Sequence, residues 1–241
     1  MSSRLHVAPI LKGHSKCLSC GEALRPYDLV PIVSWLYLRG KCRYCKVFYG
    51  YSPLVVELLF GVIFLLLYMV ILSGQLSLLL STLWLIYYTL LFIILGVMAL
   101  YDRAHSYIPL SFLVSYLTLT FFMYIVRMAE HTTILGLLSP IFVALPFLLI
   151  WLITRGKGLG FGDIIVFVGV GAFFGSLQGL GVLIISVWIG AIVGLYYKYV
   201  VNRNTKSRGT TAIPFVPFIV LSFLVVFFTG IDIMSIAMYF S

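Results

Sequence analysis

Charge is what this sequence has least of: charged side chains make up 10% of its 241 residues, against 62% hydrophobic ones. Soluble domains carry roughly a quarter charged residues, so a water-soluble globular fold is excluded for most of the chain. Acids are the scarcer sign, seven against sixteen Lys and Arg, which leaves a formal charge of +9. Met1 to Lys16 lacks the apolar core of a secretory signal, so no cleavage near the front is expected. No nucleotide-binding motif is present either. Cysteine is limited to four residues, Cys17, Cys20, Cys42 and Cys45.

What is present is apolar sequence in lengths that suit a bilayer. A helix needs about 20 residues to cross the hydrocarbon layer. Runs of that order predict seven spans, at 54–72, 76–101, 107–126, 134–153, 164–176, 179–200 and 214–239. The uncharged stretch from Ile164 to Tyr197, 34 residues, is too long for one untilted crossing. A break is expected at Gly175-Ser176-Leu177-Gln178-Gly179, where glycine and polar side chains cluster. The first half is then short, either starting at or below the membrane surface or forming a half-span sheltered by its neighbours. The expected fold class is an all-α integral membrane protein of about seven transmembrane helices over 53–241, preceded by a small polar domain over 1–52.

Orientation follows from the cations, because Lys and Arg stay on the cytoplasmic side during insertion. Residues 1–52 carry eight of them, and the loops on the same side add Arg103, Arg155, Lys157, Lys198, Arg203, Lys206 and Arg208. Only Arg127 falls opposite. The N-terminal region and the loops bearing Asp102 and Asp163 are therefore expected in the cytosol, with the C-terminus outside. This asymmetry accounts for the basic balance without nucleic acid; the partner it implies is the lipid bilayer. The sixteen tyrosines and nineteen phenylalanines read as interfacial belts and packing. The series Gly169, Gly171, Gly175, Gly179, Gly181, Gly190 and Gly194 suits close helix contacts.

The four cysteines form two CxxC pairs, Cys17-Leu18-Ser19-Cys20 and Cys42-Arg43-Tyr44-Cys45. Each pair sets two sulfurs on one tight turn, and two such turns can close a tetrahedral site around zinc. Disulfides are the competing use, and a reducing compartment disfavours them. So small a segment would be marginal without a staple, so the zinc is expected to be structural. Four cysteine ligands also leave no open position for catalysis.

Ionisable groups within lipid are costly and call for a reason. Glu57 lies in the first span, Asp102 ends the second, and Asp163 opens the fifth within Gly158-Leu159-Gly160-Phe161-Gly162-Asp163. Asp232 lies near the end of the last span. The even number of spans between Asp102 and Asp163 sets both at one membrane boundary, where they could face each other across a cleft. That is the geometry of an aspartyl dyad, in which an ionised carboxylate activates water while a protonated one hydrogen-bonds the substrate carbonyl. The plainer reading for each is an interfacial helix-end residue, and for Asp163 a helix cap. A cap alone does not explain the alternating glycines before it. Glu57 reads as a hydrogen bond between helices or a secondary functional group. Asp28 reads as a turn residue ahead of Pro31. His105 either tunes Asp102 or faces solvent.

With these motifs in order, the sequence resembles the type IV prepilin peptidases, including the leader peptidases of competence and type II secretion systems. The resemblance runs from about residue 14 to 225. It includes the two CxxC pairs, Arg25 to Trp35, Ser52 to Leu59 with Glu57, Tyr101-Asp102 with Ile108-Pro109, the GxGD of Gly160 to Asp163, and Ile213-Pro214-Phe215-Val216-Pro217-Phe218. The GxGD is also similar to that of presenilin and signal peptide peptidase. The resemblance implies removal of short, basic leader peptides from prepilins or pseudopilins at the cytosolic face of the inner membrane. It makes Asp102 and Asp163 the catalytic pair, with Gly160, Gly162, Pro109, Pro214 and Pro217 supporting them. Many members also N-methylate the new terminus with S-adenosylmethionine. Other classes that the residues allow are an ion or solute transporter using the aspartates and an inactive assembly factor of the same fold. Three departures stand out. Family members usually carry an eighth span ahead of the cysteines, so this chain reads as truncated at its front. Leu110 replaces an acid or Asn, and Ile165 replaces a Lys two residues after the GxGD aspartate.

Overall fold

The structure is a computed structural model, which describes residues 15–72, 74, 77–130, 133–156, 160–197, 199 and 214–232. Residues 1–14 and the loop cations Lys157, Lys198, Arg203, Lys206 and Arg208 lie outside the described residues. The chain divides into two compact units, Met1–Leu85 and Ile86–Ser241.

The first unit holds the cysteine segment, a 3-10 turn at Pro26–Asp28 and helix α1 at Val33–Leu38. It also holds α2 at Ser52–Leu72 and the start of α3, Leu78–His105. In the second unit follow α4 (Leu110–Glu130), the single turn α5 (Ile134–Leu137), α6 (Ser139–Thr154) and α7 (Phe161–Phe174). The chain then continues through α8 (Ser176–Tyr196) and α9 (Val216–Thr229). Among the described residues there is no strand, only two isolated β-bridges. The fold is all-helical, as the composition requires.

Among the described residues, four helices, α2, α3, α4 and α8, are long and apolar enough to cross a membrane, and α6, α7 and α9 are shorter apolar helices. These correspond in order to the seven runs read from the sequence, of which residues 76, 198, 200 and 233–239 lie outside the described residues. The fourth run is split, because Leu138 turns the chain between α5 and α6. The second extends as helix to His105, one turn past its expected end. Between α7 and α8 the expected break is a single residue, Gly175, with φ 85° and ψ −170°. A side chain there would be strained and would also meet the Arg127 guanidinium.

α7 is central to the second unit, packing against α4, α6 and α8, with nine of its 14 residues buried. Apolar on every side, it has the character of a helix enclosed by others. Small residues permit this. Gly169 accepts the ring of the fully buried Tyr116, whose hydroxyl donates to the Val166 carbonyl at 3.0 Å. Gly171 lies against the Ser139 and Pro140 backbone of α6. The far end of α7 is held by Arg127, which donates to the Phe173 carbonyl and the Ser139 hydroxyl, both at 3.1 Å. A cation at a helix C-terminus satisfies carbonyls that lack intrahelical partners and opposes the dipole favourably. Gly171→Ala is expected to destabilise the protein by about 1–3 kcal/mol, since its methyl meets backbone that cannot rotate aside. Thermal melting in detergent measures this, and an unchanged melting temperature would refute the packing argument.

Candidate functional site

The second unit brings two buried acids together. Asp102 lies in the last turn of α3 and is 6% exposed; Asp163 is the third residue of α7 and is 9% exposed. Ile108, six residues after Asp102, packs on Gly162, the neighbour of Asp163. Asp163 is not the helix cap that the sequence suggested: Gly160 occupies that position in extended conformation, and α7 begins at Phe161. Asp163 stands instead in the first turn, where the helix dipole favours an anion. Asp102 stands at the unfavourable end of its own helix. A donor from elsewhere offsets this, the Val216 N–H at the first residue of α9, 3.2 Å from Asp102 Oδ2. Both acids thus face the amino end of a short helix, where backbone N–H groups are without helical partners.

The supporting residues are partly assembled around them. Gly162 packs against Ile108, whose Cδ1 would lie 3.3 Å from a methyl at that glycine. The adjoining Pro109 carbonyl accepts from Phe112 and Leu113 at 3.1 and 3.2 Å and so starts α4. Pro217 is the second residue of α9, a position that needs no N–H donor. Pro214 lies two residues ahead of that helix. Val216 escaped sequence reasoning because a backbone donor has no residue signature; the only hint was a proline two residues before it and one directly after. His105 ends α3, exposed and edge-on to Tyr101.

The first unit brings the four cysteines together. Their sulfurs all lie within 4.8 Å of one another, unbridged, with Cys17 and Cys45 Sγ 3.8 Å apart. Metal–thiolate bonds of about 2.3 Å give a tetrahedron with edges of about 3.8 Å, so the cluster can hold a metal ion. The two knuckles are built alike. Cys17 N–H donates to Glu22 O and Gly21 N–H to Cys17 O, at 2.9 and 2.8 Å. Twenty-five residues on, Cys42 N–H donates to Val47 O and Lys46 N–H to Cys42 O, at 2.9 and 3.0 Å. Gly21 and Lys46 both take positive φ to close these turns. The Cys20 and Ser19 backbone N–H groups hold the Cys17 thiol down to about 6. Cys20 is pushed up to about 11 although the Glu22 N–H favours its thiolate, because burial and the neighbouring thiols outweigh that bond. A bound cation would relieve this crowding by stabilising all four thiolates.

Asp28 ties the knuckles to the rest of the segment, accepting from Arg43 Nε at 2.7 Å and from the Arg25 N–H at 3.2 Å. Among the described residues, Glu57 on α2 bonds the start of α1 and no other span. Its Oε2 accepts the Ile32 N–H at 2.6 Å. Ile32 is held at φ 63°, ψ −53°, a γ-turn conformation rare for a β-branched residue. Beside it opens a cleft of about 310 Å³ whose walls include Trp35, Tyr49, Asp28, Arg43 and Glu57.

Two family models match this chain. The Bacterial Peptidase A24 N-terminal domain matches residues 2–71, and the Type IV leader peptidase family matches residues 89–195. Among curated relatives, the prepilin leader peptidase/N-methyltransferase of Stutzerimonas stutzeri is 28% identical over 222 residues, 87% of this chain and 69% of that protein. The protein of the same name from Vibrio cholerae is 28% identical over 221 residues, covering 89% and 81%. That of Myxococcus xanthus is 31% identical over 200 residues, covering 80% and 56%. No solved structure matches. Both units carry the sequence of one enzyme family, and the chain belongs to the type IV prepilin peptidases.

Proposed function

We propose that this protein is an aspartyl endopeptidase of the inner membrane that removes the short basic leader from prepilins or pseudopilins at the cytosolic face. The observation that carries the reading is the pair Asp102 and Asp163, buried together at the amino ends of α9 and α7. Fifteen of sixteen cations on one side of the predicted topology support a cytosolic site and N-terminus and an extracytoplasmic C-terminus.

The chemistry needs no covalent intermediate. One ionised carboxylate takes a proton from water as its oxygen attacks the peptide carbonyl carbon, and the protonated partner hydrogen-bonds the carbonyl oxygen. The tetrahedral intermediate then collapses, the C–N bond breaks, and a carboxyl proton passes to the leaving nitrogen. Co-expression with a prepilin-type substrate, followed by size shift and N-terminal sequencing, tests this. Uncut substrate beside a folded wild-type protein would favour a transporter or an inactive assembly factor instead.

The cysteine cluster would hold a structural zinc through Cys17, Cys20, Cys42 and Cys45, supported by the sulfur spacing. A second activity, N-methylation of the new terminus, is favoured by the cleft beside Glu57. S-adenosylmethionine would supply the methyl group; Trp35 and Tyr49 offer apolar faces for its flat base, and Glu57 brings negative charge for its cationic portion. Glu57→Gln is expected to lower methylation at least tenfold while leader removal continues, read from the mass of the processed terminus. Unchanged methylation would leave Glu57 only its bond to Ile32.

A further inference from the structure

The first unit carries a short helix with two different faces at the foot of a membrane-spanning one. α1 turns Ser34, Trp35 and Leu38 toward the cleft beside Glu57, and Trp35 Nε1 donates to the Gly50 carbonyl at 3.0 Å. Its other face holds Val33, Leu36 and Tyr37, spaced i, i+3 and i+4, which are 62%, 59% and 76% exposed. Single exposed apolar side chains are ordinary. Three in one stripe, with Val30 exposed in the turn before them, make a patch that marks an interaction surface.

The place of α1 decides what covers this stripe. The Ile32 N–H at its start is bonded to Glu57 Oε2 at 2.6 Å, and Glu57 is the sixth residue of α2. That point lies about 8 Å along a helix whose 21 residues span about 31 Å, close to the hydrocarbon thickness of about 30 Å. The bond therefore draws α1 to the level where α2 enters lipid, and at that level α2 itself exposes Val55, Leu58 and Leu59. Charge agrees with this placement. Between residues 15 and 50, Lys16, Arg25, Arg39, Lys41 and Lys46 are exposed, and Glu22 is the one exposed acid, since Asp28 is held by Arg43. Arg39 follows α1 directly and Lys41 comes two residues later. Cations beside an apolar stripe at a membrane boundary suit an interfacial anchor on anionic lipid. We propose that α1 lies in the headgroup region of the cytosolic leaflet, with Val33, Leu36 and Tyr37 among the upper acyl chains and Arg39 and Lys41 on the phosphates of anionic phospholipids. Lipid then braces the outer side of a helix whose inner side walls the cleft. The inference rests on α2 being a span that starts in the cytosol, and on neither enzymatic activity.

The test places the photocrosslinking residue p-benzoylphenylalanine at position 37 of the full chain, in vesicles of equal parts phosphatidylcholine and phosphatidylglycerol. The same residue at position 64, where Phe64 is 49% exposed near the middle of α2, is the reference. After illumination, mass spectrometry is expected to find lipid adducts at both positions, with phosphatidylglycerol enriched about threefold at position 37 and not at position 64. Arg39→Gln combined with Lys41→Gln should remove that enrichment while the adducts persist. Adducts at position 64 alone would overturn the anchor. So would adducts at position 37 in bulk headgroup proportion, or crosslinks from position 37 to residues 1–14, to another segment of the chain or to a second copy. Absence of lipid adducts at position 64 would sink the span itself, and the anchor with it. No substrate is present, so each outcome holds whether or not leader removal is observed.

Discussion

Asp163→Asn and Asp102→Asn are each expected to abolish leader removal, with losses of about 10³-fold or more, while leaving the protein folded. Each carboxylate has a task that an amide cannot perform: Asn neither takes a proton from water nor shares one with its partner. The replacement nearly preserves shape, and at position 102 the amide oxygen can still accept the Val216 N–H. The fold should not suffer for it. Buried acids oppose folding, and Asp102 also stands at the unfavourable end of α3. Melting temperatures of both variants in detergent should therefore equal or exceed that of the wild type. Stability kept and activity lost is the signature of a site that holds strain for function. Either variant cleaving at the wild-type rate would end the dyad assignment.

Removing metal from the cysteine cluster is expected to unfold that segment. Outside its knuckles, the described part of the segment is held by the Arg43–Asp28 ion pair, a few hydrogen bonds such as Trp35 Nε1 to the Gly50 carbonyl, and ring contacts such as Arg43 over Tyr27 at 4.9 Å. Apart from Cys42, its exposed apolar side chains leave little core to support it alone. Structural zinc sites of this kind contribute about 10–16 kcal/mol in small peptides, more than such a segment could otherwise supply. Cys42→Ser should lose bound zinc and open the span between Ser15 and Gly50 to limited proteolysis, whereas the circular dichroism of the long helices should persist. Purified wild-type protein with no zinc and four titratable thiols would refute the assignment.

The parts legible in the sequence are those whose signal is local. Span positions came from apolar run length, which the bilayer enforces residue by residue. The break near Gly175 was marked by the one residue type that tolerates its backbone. The cysteine cluster was readable because each CxxC shapes its own turn, and Asp102 and Asp163 because an acid in an apolar run is costly wherever the chain goes. What stayed hidden depends on distant segments meeting. Val216 reaches Asp102 across 114 positions, and its donor is an N–H that every residue but proline has. Arg127 read as a topology exception, yet it caps α7, a role fixed only by where Phe173 and Ser139 arrive. Glu57 read as a hydrogen bond between helices or a secondary functional group; its partner, the N–H of Ile32 at the start of α1, lies 25 positions away and has no residue signature.

The helices that begin at the two carboxylates are unusually short. α7 and α9 have 14 residues each, about 21 Å of helix, against a hydrocarbon layer of about 30 Å. A bilayer adjusts to such hydrophobic mismatch by thinning around the short element. On the proposed topology, lipid beside the half-exposed α9 would be drawn inward, and the headgroup region with its water would descend toward the two acids. Peptide hydrolysis consumes water, which the middle of a bilayer does not hold. In the proposed hydrolysis, the brevity of these helices would deliver one of the reactants.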